Sequence, residues 1–232
     1  MKPPAPLPFL PPADPPTPRR TLAQEVAARL RREIAHGIRA PGSMLAEPTL
    51  AAAMGVSRAP VREALLELER DGLVAFDARG RTQVCTMTAI DFEDLFALRL
   101  ALEPMAMAHA AQRIAPPELD ALQANIDATL TTQSLGDLSR LDLDFHALIL
   151  EASGRPRLCA LWHSLRPQLE CWLGALHRKH QALTGQVRQM TMASHAELLQ
   201  ALQNRQPEPA RRLMQRHVQG WYEWLPTLEA SP

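Results

Sequence analysis

Beyond residue 88 the chain is divided into helix-length segments in which apolar residues recur every three to four positions. Glycine and proline interrupt this periodicity at short intervals, for example at Pro116-Pro117 and at Gly185. Amphipathic helices with short connections bury their apolar faces against one another, so this part is expected to form an all-α antiparallel six-helix bundle. The predicted helices occupy residues 89–114, 118–133, 137–152, 157–183, 187–204 and 208–225.

The residues before this bundle follow a different order of elements. Predicted helices over 21–37, 47–54 and 58–72 precede two short β-like runs, LVAF and TQVC, which the polar loop DARGR joins. Helices followed by a hairpin in this order are the outline of a winged helix-turn-helix. The expected fold class is therefore mainly α: an N-terminal winged helix-turn-helix with a small β-hairpin wing, then the C-terminal helical bundle.

Composition supports a division into three regions. Residues 1–18 are half proline and are expected to form a disordered tail. Residues 19–88 form the predicted winged domain, and residues 89–228 form the predicted helical domain. Lys+Arg and Asp+Glu are 25 each, but residues 19–90 carry 11 basic and 8 acidic side chains, whereas residues 91–232 carry 13 and 16. A weakly basic front and an acidic back indicate two domains with different partners.

Several classes of protein are excluded by the same composition. No window approaches the roughly 18 consecutive apolar residues of a membrane helix, so no membrane association is expected. The three cysteines have no CxxC spacing, which favours neither a disulfide framework nor a thiolate zinc site and is typical of a reducing, cytoplasmic setting. The chain also lacks the glycine-rich motifs of nucleotide-binding enzymes.

The start of the third predicted helix carries residue types suited to reading DNA. Arg58 and Arg62 are four apart and share an outward face, where each can bond the O6 and N7 atoms of guanine. The Ser57 hydroxyl and the first N–H groups of the helix can bind a phosphate. The small side chain of Ala59 lets the helix lie deep in the major groove.

Basic residues elsewhere in this region extend the predicted DNA contacts. Arg79 and Arg81 in the hairpin loop would reach an adjacent minor groove or its phosphates, and Arg31 and Arg32 of the first helix are candidates for backbone contacts. Two arginines on a helix are often only solvated surface. Their position between a Gly-Val turn and a basic hairpin favours DNA binding.

The string GVSRAPVREALLELERDGLV closely resembles the N-terminal domain of the GntR family of bacterial transcription regulators. The stretches FALRLALEPMAMAHAA and LDFHALILEASG resemble the FadR-like branch of that family, whose effector domain is the helical FCD bundle. The resemblance covers residues 21–225 approximately. Many relatives carry an arginine after the glutamate of the second helix, where this chain has Pro48, so DNA contacts are expected to depend more on Arg58 and Arg62.

Four bundle residues are candidate metal ligands. Asp142 and His146 are four apart beside an apolar stripe, and His195 and His217 lie next to inward leucines of two other helices. Spacing alone leaves open that these are ordinary buried histidines. FCD domains commonly bind a divalent metal through one Asp and three His, and the resemblance places these four residues at those positions. It implies a divalent ion, with Zn²⁺ favoured and Ni²⁺ or Mn²⁺ also suited to such ligands.

One further arginine is a candidate effector contact. Arg99 and Glu103 are four apart, which is typical of a surface ion pair, but the leucines around Arg99 suggest partial burial. In FadR-like relatives the matching arginine faces the pocket, where it can bind an effector carboxylate. By contrast, His177 and His180 flank a basic run and are assigned to solvated surface.

These observations predict a DNA-binding transcriptional regulator, a repressor by family habit. As a homodimer it would read a pseudo-palindromic double-stranded operator, and a small organic acid bound at the metal would change its affinity. Two alternatives remain open at this point. The chain could be a metal-dependent enzyme that activates water at the three-His, one-Asp site, or a regulator whose metal is purely structural.

Overall fold

The structure, a computed structural model, describes residues 21–222. The predicted proline-rich tail, residues 1–18, lies outside the described residues, as does the end of the last predicted helix beyond residue 222. Among the described residues, no helix is both long enough and apolar enough to cross a membrane.

The N-terminal part folds as three helices and a hairpin. Helix α1 spans Leu22–Ala35, α2 spans Glu47–Met54 and α3 spans Arg58–Arg70. Strands β1 (Val74–Phe76) and β2 (Thr82–Val84) pair antiparallel as a two-stranded sheet. This is the expected winged helix-turn-helix.

Local chemistry explains where these helices begin and end. Thr21 and Gln24 form a capping box at the start of α1. Gly55 follows α2 with a φ of 66°, a left-handed conformation that glycine adopts without strain. This residue makes the tight turn that leads into α3.

An ion-pair cluster fixes α1 against the end of α3. The guanidinium of Arg31 lies 2.6 Å from Oε1 of Glu67 and 2.7 Å from Oδ2 of Asp71. Arg31 is therefore partly buried and held by these carboxylates, whereas its neighbour Arg32 is exposed. Of the two arginines considered for DNA contacts on this helix, Arg32 is the more exposed.

The C-terminal part is a bundle of helices whose bounds, up to residue 222, lie within two residues of those predicted. Four of the five breaks contain or precede a proline or glycine that ends or begins a helix, whereas α5 and α6 are separated at Thr132 to Ser134 and the expected break at Gly136 lies inside α6. The fold class predicted from the sequence is confirmed. The described helices are α4 (Ala89–Arg113), α5 (Pro116–Thr131), α6 (Leu135–Ala152), α7 (Pro156–Thr184), α8 (Val187–Gln203) and α9 (Pro207–Tyr222).

Helix α7 also packs against the N-terminal part. Arg178 donates from Nη1 to the carbonyl of Ala35 at 2.9 Å, and Gln168 donates from Nε2 to the carbonyl of Asp71 at 3.1 Å. Gly174 lies so close to α1 that a β-carbon at this position would be 2.7 Å from the carbonyl oxygen of Ala35. Helix α7 thus donates hydrogen bonds to carbonyl groups at the C-terminal ends of α1 and α3.

The bundle interior contains an unusual layer of polar side chains. Buried ionisable groups need partners or a bound ion, so such a layer indicates a functional site. Its fully or almost fully buried members include Arg99, Glu103, Asp142, His146, His177 and His195.

Candidate functional site

The N-terminal end of α3 presents the predicted DNA-reading side chains to solvent. Arg58 and Arg62 are 68% and 73% exposed, and Ser57 and Ala59 are exposed beside them. The Ser57 side chain makes no capping hydrogen bond to the helix. Its hydroxyl and the first N–H groups of α3 therefore remain available to an anion.

Glu47 of α2, which the sequence analysis did not single out, pairs with both arginines. Its Oε2 lies 3.4 Å from Nη2 of Arg58, and its Oε1 lies 3.6 Å from Nε of Arg62. The carboxylate lies between the two guanidinium groups and aligns them. No periodic pattern along one helix indicates this contact, because it joins two helices that pack against each other across the turn at Gly55.

The hairpin brings further positive charge to the same side. Arg81 lines a cleft of 330 Å³ together with Glu47, Arg58 and Arg62. In the hairpin loop, Asp77 accepts hydrogen bonds from the backbone N–H groups of Arg79 and Arg81 and from Nε of Arg81. These bonds, from Arg81 above all, lower the pKa of Asp77. Arg79 is exposed in the loop.

Three histidines from different helices meet inside the bundle. The ligand nitrogens of His146 (α6), His195 (α8) and His217 (α9) all lie within 4.8 Å of one another. The two Nε2 atoms of His146 and His217 are 3.2 Å apart, and the His195 ring stacks on Phe145 at a centroid distance of 4.0 Å. The spacing argument placed these residues on inward faces, and the structure brings them together.

Asp142 lies beside this histidine cluster and is 1% exposed. Its Oδ1 is 3.7 Å from Nε2 of His146 and 4.0 Å from Nε2 of His195. Neither carboxylate oxygen has a hydrogen-bond partner among the described residues. A buried carboxylate without hydrogen bonds is costly unless a cation compensates it, so this donor set fits a divalent metal ion.

Glu103 and Arg99 support the cluster from α4. Oε2 of Glu103 lies 2.9 Å from Nδ1 of His146, and its Oε1 accepts a hydrogen bond from Nε1 of Trp162 at 2.8 Å. A carboxylate on Nδ1 favours a proton there and leaves Nε2 to face the cluster. Arg99 donates to both oxygens of Glu103, at 2.7 Å and 3.2 Å. The Arg99–Glu103 pair is thus fully buried rather than a surface pair.

The orientation of Arg99 bears on its predicted effector contact. Its bidentate fork is already used on Glu103, and only Nη1 has no hydrogen-bond partner among the described residues. Nη2 also lies 3.3 Å from Nε2 of His146. Arg99 therefore borders the histidine cluster with one free donor group.

The assignment of His177 and His180 to solvated surface was wrong, because both are fully buried. Helix α7 is covered by α6 on one face and by the N-terminal part on another, so the basic run meets little water. Both histidines continue the buried stripe of Leu169, Leu173 and Leu176, and this i,i+3/i+4 spacing was the signal that could have identified them.

Burial and charge set the protonation of the cluster. Burial lowers the pKa of His195 to about 3 and that of His217 well below its usual value, so both rings stay neutral, as metal ligation requires. Burial acts to raise the pKa of Asp142, but its electrostatic interactions with His177, His195 and His146 outweigh this effect and hold that pKa well below its usual range. Arg99 and His146 do the same for the pKa of Glu103 against its burial.

A cavity of 210 Å³ between α8 and α9 borders this cluster at His217. It is lined by Met190, Ser194, Arg216, His217 and Trp221, and at Gly220 a β-carbon would meet nothing within 4 Å. His217 is the cluster member that borders it. A small molecule could therefore approach the histidines from this side.

Models of two protein families match the chain. "Bacterial regulatory proteins, gntR family" matches residues 22–84, and "FCD domain" matches residues 94–220, which is more than half of the chain. A winged helix-turn-helix with an exposed basic cleft, followed by a helical bundle, defines a DNA-binding transcriptional regulator. The chain belongs to the GntR family and carries an FCD domain in its C-terminal part. The family and the relatives indicate a regulator and not an enzyme, which removes the enzymatic alternative.

Similar proteins agree with this assignment. The HTH-type transcriptional repressor RspR of Escherichia coli (strain K12) is 26% identical over 208 residues, which cover 87% of this chain and 88% of RspR. The uncharacterized HTH-type transcriptional regulator YdhC of Bacillus subtilis (strain 168) is 32% identical over 129 residues, 54% of this chain and 58% of YdhC. The solved structure of E. coli McbR/YncC has a TM-score of 0.69 and 26% identity, and the match covers 88% of this chain and 99% of that one.

Proposed function

We propose that this regulator is a homodimeric repressor whose operator affinity changes when a small carboxylate binds at a divalent metal in the FCD domain. Residues 19–88 would bind DNA, and residues 89–228 would dimerise and bind the effector. Relatives such as RspR carry the word repressor in their names, which supports the direction of control.

In the DNA-bound state, Arg58 and Arg62 would bond base edges in the major groove. Their exposure and their place in the first turns of α3 support this role. Ser57 and Ala59 would lie against the adjacent backbone. Arg79 and Arg81 of the wing, with Arg32 of α1, would contact phosphates or a neighbouring minor groove, all three being exposed. Two copies would read the two halves of a pseudo-palindrome.

A test of this interface compares Arg62→Ala with Arg79→Ala by fluorescence anisotropy on the operator and on single-base variants. The change at Arg62 should cost about 1–3 kcal/mol and relax preference at one base position. The change at Arg79 should weaken binding to every sequence alike and reduce the slope of log K against log salt by about 1. Equal, small effects from both would contradict the assignment.

The observation that carries the metal site is the buried Asp142 carboxylate without hydrogen bonds beside three converging imidazoles. Asp142, His146, His195 and His217 would hold the ion. Three imidazoles and one carboxylate suit Zn²⁺, Ni²⁺ or Mn²⁺. When bound, the ion would supply a positive charge and open coordination positions for a ligand oxygen.

The effector we propose is a small organic acid. Arg99 would offer Nη1 to a second carboxylate oxygen, since its other donors are held by Glu103. The 210 Å³ cavity beside His217 would give entry. A regulator whose metal only stabilises the bundle is the remaining alternative.

A thermal-shift screen separates these two proposals. Purified protein, stripped with a chelator, is melted with small carboxylates in the presence and absence of Zn²⁺. An effector that binds at the metal should raise the melting temperature only when metal is present, by mass action. A rise with metal alone, and none with any acid, would support the structural alternative.

A further inference from the structure

His177 has a set of contacts that the proposed function leaves unexplained. It is fully buried on α7, and its Nδ1 lies 2.9 Å from the hydroxyl of Ser139 on α6. Its Nε2 lies 3.6 Å from Oδ2 of Asp142, and its ring packs against Trp221 at a centroid distance of 5.3 Å. A hydroxyl on one nitrogen and a carboxylate on the other determine the orientation of the ring.

The two oxygens of Asp142 face different partners. Oδ1 is the oxygen nearest to His146 and His195, at 3.7 Å and 4.0 Å. Oδ2 is the oxygen nearest to His177. The carboxylate therefore presents one oxygen to the histidine cluster and turns the other away from it.

These contacts favour one position for a proton on His177. An ionised carboxylate only accepts hydrogen bonds, so a hydrogen on Nε2, the nitrogen that faces Oδ2 of Asp142, is the favourable arrangement. Nδ1 lies 2.9 Å from the Ser139 hydroxyl, whose single hydrogen is shared between this nitrogen and the carbonyl of Leu135, 3.0 Å away. Ser139, His177 and Asp142 form a chain of contacts that ends at the cluster.

We propose that His177 is a positioning residue for the metal site: its Nε2, which lies 3.6 Å from Oδ2 of Asp142, faces that oxygen so that only Oδ1 reaches the ion. This inference rests on the proposed metal site. Partners that orient a ligating carboxylate commonly change metal affinity by about 10- to 100-fold when they are removed. With a single oxygen from Asp142, a six-coordinate ion keeps two positions for other ligands instead of one. His177 would thereby leave room for an acid that binds through two oxygens.

The test measures Zn²⁺ affinity by competition with a chromophoric chelator, and the visible spectrum of the Co²⁺-loaded protein as a readout of coordination. His177→Leu removes the donor while keeping a buried apolar side chain, and His177→Gln keeps an N–H near the position of Nε2. We expect Zn²⁺ affinity to fall by about 10- to 100-fold in His177→Leu, with a changed Co²⁺ spectrum. His177→Gln should retain both properties more closely.

His180→Leu is the matched control, because His180 is equally buried on the same helix and its ring also packs against Trp221, at 5.8 Å. It should leave Zn²⁺ affinity and the Co²⁺ spectrum unchanged. Ser139→Ala removes the hydroxyl that faces Nδ1 of His177, together with its bond to the Leu135 carbonyl within the same helix. It should shift both readouts in the direction of His177→Leu, and it replaces that variant in the test if His177→Leu does not fold.

Wild-type affinity and spectrum in both His177→Leu and Ser139→Ala would overturn the inference. Equal losses in His177→Leu and His180→Leu, or in the glutamine and leucine variants of His177, would also overturn it, because they indicate general packing. Failure of the metal site itself is distinct. In that case the wild-type protein binds no Zn²⁺, or Asp142→Ala binds it as tightly as the wild type.

Discussion

At the scale of single residues, Glu47 reduces the positive charge of the proposed DNA-reading face. Its one carboxylate pairs with both Arg58 and Arg62, while the arginines remain mostly exposed. Exposed ion pairs contribute little to stability, so the effect of this contact falls on orientation and on charge. Glu47 aligns the two guanidinium groups at the cost of some attraction for phosphate.

Glu47→Gln should therefore bind random DNA more tightly and discriminate less in favour of the operator. Removing one negative charge from the cleft should steepen the slope of log K against log salt by about 1. Anisotropy titrations on operator and scrambled duplexes at several salt concentrations measure both quantities. Glu69→Gln, at the far end of α3, is the control, and the same change in both variants would contradict the role of Glu47.

Buried neutral histidines make stability depend on pH. The pKa of His195 is about 3 in the folded protein and that of His217 is well below its usual value, because both are buried. In the unfolded chain both titrate near pH ~6.5, so between about pH 6.5 and 5 only the unfolded state takes up protons. As the pH decreases through this window, the free energy of unfolding should therefore decrease, by up to about 1.4 kcal/mol per pH unit for each histidine.

Urea unfolding of the metal-free protein at pH 7, 6 and 5 measures this dependence. Asp142 and Glu103 have lowered pKa values, so their contribution to stability is lost as the pH falls below about 5, at the lower edge of this window. His195→Gln should flatten the dependence, whereas His163→Gln, at a half-buried position outside the cluster, should not. A pH-independent free energy of unfolding in the wild type would refute the assignment.

Sequence reasoning identified some residues of the buried polar layer and misjudged others. Spacing placed Asp142, His146, His195 and His217 on or beside the apolar faces of their helices, and the resemblance to FCD domains singled them out as candidate ligands. His177 was misjudged because its neighbours Arg178 and Lys179 are charged, and only the packing of α7 between two parts of the protein shows that its face is buried. Tertiary packing determines the contacts between elements, and the periodicity along a single helix carries no information about that packing.

At the scale of elements, the helices were predictable because glycine and proline mark their ends. Pro116, Pro156 and Pro207 each stand at the first position of a helix, where the missing N–H costs nothing. The hairpin was predictable from two β-like runs around a polar loop. What no local pattern shows is how α1 is fixed to α3, which depends on charges 36 and 40 residues apart.

Arg31→Ala should lower the free energy of unfolding by about 1–3 kcal/mol, because it leaves Glu67 and Asp71 without the guanidinium that joins α1 to α3. Arg29→Ala is the matched control on the same helix. Arg29 is 51% exposed and pairs only with Glu33 one turn away, so its loss should cost about 0.3–0.5 kcal/mol. Chemical denaturation of both variants measures the difference, and equal values would count against the role of Arg31.

At the scale of the whole molecule, α7 joins the two functional parts. Gly174 allows α1 to approach, and Gln168 and Arg178 bond the final carbonyls of α3 and α1. The same helix contributes His177 to the surroundings of Asp142. The arrangement of the two parts was not predictable from the sequence, since it depends on one glycine among many helix-forming residues.

Gly174→Ala should destabilise the protein although alanine favours a helix by about 1 kcal/mol over glycine. Its β-carbon would stand 2.7 Å from the Ala35 carbonyl oxygen, a backbone atom that cannot rotate away. Gly220→Ala in α9 meets nothing within 4 Å and should be neutral or slightly stabilising. Thermal melting compares the two variants, and equal melting temperatures would show that the approach of α1 to α7 is not tight.

The hydrogen bonds that α7 donates to α1 and α3 have a consequence for protein engineering. A chimera that joins this winged region to a different sensor bundle would lose the side-chain donors that bond the carbonyls at the ends of α1 and α3, whatever linker is chosen. To transplant the DNA-reading half with its native geometry, the recipient helix must also receive an amide, a glycine and a guanidinium at the places of Gln168, Gly174 and Arg178.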